Sequence, residues 1–194
     1  MLTRIVAGNL KKRDDGETPI IEGYFSVFDT ESEIYPNFFE KIDKGAFNGT
    51  LDDDVRALIN HDTTFVLGRT KAGTLELKTD DKGLFGKINI NPKDTAAMDL
   101  YHRVERGDIS QCSFGFDITR SRETIDKEAP YAVHSTIEKV KLYEVSVVTF
   151  PAYEDTEISA RNKDYCKKQI ENIKKKAKLA FRKSRLKERI KKCL

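Results

Sequence analysis

Tryptophan is absent from this 194-residue chain, and methionine (two), cysteine (three) and histidine (three) are scarce. The cysteines, Cys112, Cys166 and Cys193, contain no CxxC pair, and their wide, odd-numbered spacing fits neither a zinc ribbon nor a disulfide framework. His61, His102 and His134 are equally dispersed, so no local metal motif of the HExxH kind exists. Neither a metal nor an organic cofactor is expected. No apolar run approaches the roughly 18 residues that a membrane-spanning helix needs, and no membrane association is expected. The opening "MLTRIVAGNLKKRDDGETPI" places its apolar residues before its lysines, the reverse of a secretory signal, so an intracellular, non-secreted protein is expected.

What is present is charge, at 35% of residues, unevenly divided. Residues 161–194 carry 15 Lys and Arg against 3 Asp and Glu, a net +12, which leaves 20 against 29, or −9, in residues 1–160. An acidic body joined to a basic tail predicts that the tail has an electrostatic partner of its own or lies back on the body. The length suits one domain with a substantial core and an appendage.

Up to about residue 160 the pattern is one of strands. "IIEGYFSVFDT", "VRALINHD", "TLELKTDDKGLFGKINI", "SQCSFGFDIT" and "KVKLYEVSVVTF" are β-branched and aromatic runs punctuated by Gly, Asp, Asn and Pro. "TDDKG" reads as a hairpin turn, with Leu75 and Leu77 alternating before it and Leu84, Ile88 and Ile90 after it. One helix interrupts the series. It is capped by Asp94 or Thr95, presents Ala97, Leu100, Tyr101 and Val104 on one face, and stops near Gly107. Beyond residue 160, Ile170, Ile173, Ala177, Phe181, Leu186, Ile190 and Leu194 recur at spacings of three to five in a stretch without Gly or Pro, the signature of a basic amphipathic helix. The predicted division is therefore 1–160 as a mainly β domain with flanking helix and 161–194 as a helical or disordered basic tail.

Three residues invite a chemical reading. In "QCSFGFDI", Cys112, Phe114, Phe116 and Ile118 share one face of a strand and must be core, which puts Ser113, Gly115 and Asp117 on the other, where Gly115 leaves space for a substrate backbone. His61 closes the run "VRALINH" on the face of Ala57 and Ile59 and suits either a general base or a structural imidazole. Glu144 interrupts a strongly β-forming run in "KLYEVSVV", and a carboxylate buried there needs a partner, which a protonated His61 or one of the many lysines and arginines could supply. Serine nucleophiles require an adjacent imidazole and a third polar group that fixes its tautomer.

"GYFSVFDT", "INHD" followed by "LGRT", "LELKTDDKGLFGKINI", "RVERGDISQCSFGFDI" and "LYEVSVVTFPAYEDTEI", in this order over residues 20–160, resemble the tailed-phage prohead maturation proteases, serine peptidases similar to the herpesvirus assemblins. The resemblance implies a closed β-barrel, Ser113 as nucleophile, His61 as general base and Glu144 as the residue that orients His61. His134 ranks second for that last role, because the assemblins use a second histidine there. It further implies cleavage of the major capsid protein, of scaffold and of the enzyme itself within the assembling prohead in the host cytoplasm, with homodimer formation an open expectation. Oxyanion donors are sought at Gly68, Arg69 or Gly115. Nucleic-acid binding is expected at most weakly, through the tail. A non-catalytic assembly or scaffold protein with a basic docking arm is the alternative.

Overall fold

The computed structural model describes residues 1–6, 10–14, 18–126, 132–149, 164–173, 175 and 179. The chain is mainly β. Its strands are β1 (Leu2–Val6), β2 (Lys11–Asp14), β3 (Pro19–Val27), β4 (Ser32–Tyr35), β5 (Phe38–Ile42), β6 (Arg56–Ile59), β7 (Asp62–Arg69), β8 (Leu75–Thr79), β9 (Gly83–Asn89), β10 (Gln111–Ile125) and β11 (Val133–Val148). They form two sheets. The larger runs β1-β10-β11-β5-β4, with β6 attached to the far half of β11 and β7 to β6; the smaller runs β2-β3-β9-β8. Among the described residues no ring of hydrogen-bonded strands closes.

The expected hairpin is β8–β9. Leu75 faces Ile88 and Leu77 faces Gly86 across the ladder, and the Asp80 side chain accepts from the backbone N–H groups of Lys82 and Gly83 (2.8 and 3.1 Å), so the turn is closed by its own aspartate. The helix, α1 (Thr95–Arg106), begins at Asp94, whose carboxylate accepts from the Ala97 N–H at 3.2 Å. It ends at Gly107, where φ of +86° lets the backbone N–H turn back to the last carbonyls, a conformation that favours glycine. Ala97, Leu100, Tyr101 and Val104 form its buried face, as the spacing predicts.

Between the sheets, Ile21, Phe25, Leu84 and Ile88 of the smaller meet Cys112, Phe114, Phe116, Val145 and Val147 of the larger. Phe114 stacks on Phe116 with ring centroids 4.8 Å apart and meets Phe47 edge-on at 5.6 Å. A second, smaller cluster joins Phe38 and Val133 to Cys166 and Ile173. These last two lie on a helix over 164–173, the first part of the basic segment, which is packed on the β body. The expected boundary at 160 and the expected helix beyond 180 lie outside the described residues.

Candidate functional site

β10 and β11 build the platform. Their antiparallel register sets Cys112 against Val147, Ser113 against Ser146, Phe114 against Val145 and Gly115 against Glu144. Phe114, Val145, Cys112 and Val147 enter the core, so alternation sends Ser113, Gly115, Glu144 and Ser146 to the opposite face together. One irregularity makes this arrangement work. Phe116 pairs with Leu142 while Gly115 pairs with Glu144, so Tyr143 is an extra residue on β11. Without that bulge Glu144 would share the face of Leu142, which is core. The bulged Tyr143 hydroxyl donates to Asp117 at 2.9 Å.

His61 arrives from β6. That strand runs parallel to β11, with Leu58 level with Ser146 and Ile59 with Val147. The strand ends at Ile59, and Asn60 and His61 (φ of +51° and +62°) form the two-residue turn into β7. The expectation that His61 closes a strand on the face of Ala57 and Ile59 is thus corrected: the left-handed turn, not strand alternation, aims its ring. Asn60 fixes the turn to the end of β11, donating its N–H to Val147 O (2.9 Å) and accepting from the Thr149 N–H (2.9 Å).

The turn brings His61 to Glu144. Nδ1 lies 2.7 Å from Oε1, and the other carboxylate oxygen accepts from the Ser146 hydroxyl at 2.6 Å. Ser146 Oγ in turn accepts from the His61 backbone N–H at 3.2 Å. Since a carboxylate only accepts, this pattern assigns a proton to Nδ1, which in the neutral imidazole leaves Nε2 with its lone pair. Ser146 is the member that sequence reasoning missed. Its signal was the i+2 spacing from Glu144, which places both on one strand face.

Ser113 shares that face, diagonal to Glu144, where such neighbours stand about 7–8 Å apart. Two expectations fail there. The face was expected to be open, yet Ser113 is 0% exposed and its hydroxyl donates to the Arg4 carbonyl on β1 at 2.9 Å. Gly115 was expected to leave room for substrate, yet a Cβ there would lie 2.2 Å from Glu144 Oε1 and 2.8 Å from Met1 Sδ. Strand alternation could not foresee either, because both depend on groups of the neighbouring strands, the Arg4 carbonyl of β1 and the Glu144 carboxylate of β11. Glycine at 115 instead admits the carboxylate.

The remaining candidates lie elsewhere. His134 stacks on Phe39 (5.0 Å) and holds Glu31 at 2.8 Å. It sits ten residues from Glu144 along β11, roughly 33 Å at strand rise. The Arg69 N–H is committed to Thr74 Oγ1 (2.9 Å) and its guanidinium to Asp54 (2.6 Å), while a Cβ at Gly68 would lie 2.7 Å from Thr74 O. Cys112 points into the core, donates to Tyr24 O, and is pushed up to about 12 by burial, so it is no competing nucleophile. Among the described residues no group of His, Cys, Asp and Glu could hold a metal ion, and no helix is long and apolar enough to cross a membrane.

The mainly β platform thus carries a Glu144–His61 pair on the strand face that Ser113 shares. The chain belongs to the caudovirus prohead serine protease family, whose sequence profile matches residues 8–176. It is 30% identical over 158 residues to the prohead protease of Enterobacteria phage HK97, a match that covers 78% of this chain and 64% of that relative's length. No solved structure matches.

Proposed function

We propose that this protein is a serine endopeptidase of prohead maturation, acting on capsid and scaffold proteins and on itself, with Ser113 as nucleophile, His61 as general base and Glu144 as the positioning carboxylate. The observation that carries the reading is the 2.7 Å contact between His61 Nδ1 and Glu144, made on the strand face that Ser113 also occupies, in a chain of this family. In this mechanism the Ser113 hydroxyl turns from the Arg4 carbonyl to His61 Nε2. Oγ attacks the scissile carbonyl as Nε2 takes its proton, and the proton passes to the leaving amine. Water, deprotonated by the same nitrogen, then hydrolyses the acyl-enzyme. Glu144 stabilises the imidazolium at each step and keeps Nε2 pointed outward. The closed barrel of the family would require the two sheets to join through strand contacts beyond the pairings described.

Residues 161–194 fit a packaging or inhibitory extension removed by self-cleavage. The helix at 164–173 buries Cys166 and Ile173 against Phe38 and Val133, which favours removal beyond residue 173 over removal near Ala160. The basic charge supplies attraction for an acidic scaffold or shell surface.

Fluorophosphonate labelling read by mass spectrometry tests the assignment. The wild-type protein acquires label at Ser113 and is trimmed to a shorter mass, and Ser113→Ala shows neither. Folded protein that never labels and never shortens would instead support a non-catalytic assembly protein. One observation favours that second reading: the complete burial of Ser113 with its hydroxyl bonded to Arg4.

A further inference from the structure

β1 lies at the edge of the larger sheet and pairs along the segment of β10 that carries the serine, with Ile5 opposite Ser113 and Arg4 opposite Phe114. A serine hydroxyl has one proton to donate. Here it goes to the Arg4 carbonyl at 2.9 Å, so in this conformation it cannot go to His61. The Met1 side chain lies over Gly115 beside the Glu144 carboxylate, extending the cover from the nucleophile toward the orienting acid.

The strand is anchored by more than its ladder. Arg4 forms a two-pronged ion pair with Glu40 of β5, Nε with Oε1 and Nη2 with Oε2 (2.8 Å for the second), although β10 and β11 separate the two strands in the sheet. Both side chains are largely buried, at 11% and 3% exposed. The helix over 164–173 lies beside them. Burial first, and then the charges of Glu40 and Arg4, perturb the Tyr165 hydroxyl, which is pushed up to about 12. The same ring meets Phe38 of β5, two residues from Glu40, edge-on at 6.5 Å, so the first helix of the basic segment packs on the strand that supplies the acid of the ion pair.

We propose that β1 is a built-in inhibitory strand, latched by Arg4–Glu40, that holds the Ser113 hydroxyl out of reach of His61 until the strand is displaced. This inference rests on the serine peptidase reading and supplies its regulation. It also accounts for a nucleophile that is fully buried beside a correctly hydrogen-bonded His–Glu pair. An enzyme that must stay silent until the shell is assembled gains from a cover that is part of its own sheet, because the cover's effective concentration is set by the chain and not by a partner.

The test uses the full chain and a fluorophosphonate. Glu40→Gln removes the counter-charge of Arg4 and should raise the rate of Ser113 labelling at least tenfold over wild type, along with the cleavage of casein as an unfolded protein substrate. Because that variant risks misfolding, a second one works in the opposite direction. Val6 pairs with Cys112 across the ladder, so Val6→Cys allows a disulfide that fixes β1 in place. Its oxidised form should label at least tenfold more slowly than its reduced form, reversibly with reductant. Equal labelling of oxidised and reduced Val6→Cys, or a folded Glu40→Gln no faster than wild type, would overturn the latch. Loss of residues 1–4 from wild type but not from Ser113→Ala would overturn it too, showing β1 to be a substrate in place of an inhibitor. Absence of label at Ser113 in every form removes the peptidase reading itself, and the latch with it.

Discussion

Glu144 is nearly buried, yet each of its oxygens is occupied, one by His61 and one by Ser146. Replacing it by glutamine keeps the volume and removes the charge that would stabilise an imidazolium. In a Ser–His–carboxylate site the corresponding carboxylate-to-amide change lowers kcat by about 10⁴, so Glu144→Gln should lose roughly three to four decades of peptidase rate with unchanged circular dichroism. Ser146→Ala acts differently, because it leaves a buried carboxylate oxygen and the His61 N–H without their partner. A stability loss of about 1–3 kcal/mol in denaturant titration is expected, with a smaller fall in rate than Glu144→Gln gives. Much of this site was legible beforehand. Alternation alone separated Ser113 from the Phe114 and Phe116 core, and the presence of an acid in a β-forming run demanded a partner for Glu144. Ser146 and the left-handed His61 were not legible, since each depends on which residue of another strand lies alongside.

The hairpin of β6 and β7 that presents His61 is closed at its base by a two-pronged contact between Asp54 and Arg69. The hydrogen bonds from Arg69 hold the Asp54 carboxyl down to about 2 from its usual 3.8. A carboxyl depressed on folding stabilises the fold fully above its unfolded value and loses that contribution as pH falls through the folded one. Asp54→Asn should therefore lower the melting temperature near pH 5 and make little difference near pH 2, a convergence that thermal scans at the two pH values would show. At the helix, Asp94→Ala removes the cap of α1 and should cost about 0.5–2 kcal/mol. That helix and the β8–β9 hairpin were readable because their signals are local, a capping aspartate, a terminal glycine and a turn aspartate within a few residues. β1, β4 and β5 left no such mark. They are short, and β5 pairs in parallel with β11 some ninety residues later, so its strand state is decided by a neighbour that sequence does not place beside it.

At the scale of the whole molecule, the two sheets share one core, and Phe114 lies at its centre between Phe47 and Phe116. Phe114→Ala should destabilise by about 3–5 kcal/mol and lower the midpoint of a single cooperative transition, since both sheets bury apolar residues in the cluster that Phe114 helps to fill. The basic segment belongs partly to this unit as well. Ile173 belongs to the apolar series that the sequence displays and Cys166 does not, yet the burial of both against Phe38 and Val133 joins what composition had divided. By itself the sequence determined the mainly β character, the position and caps of the helix, the division of charge, and which strand residues face away from the core, because these follow from periodicity and from interactions between residues close in the chain. Only the tertiary structure decided that Glu144 meets His61 through a bulge and a turn, and that Ser113 is buried with its hydroxyl bonded to β1. Contacts of that kind are fixed by strand register and by the packing of one layer on another, and neither is written in the order of residues along any single strand.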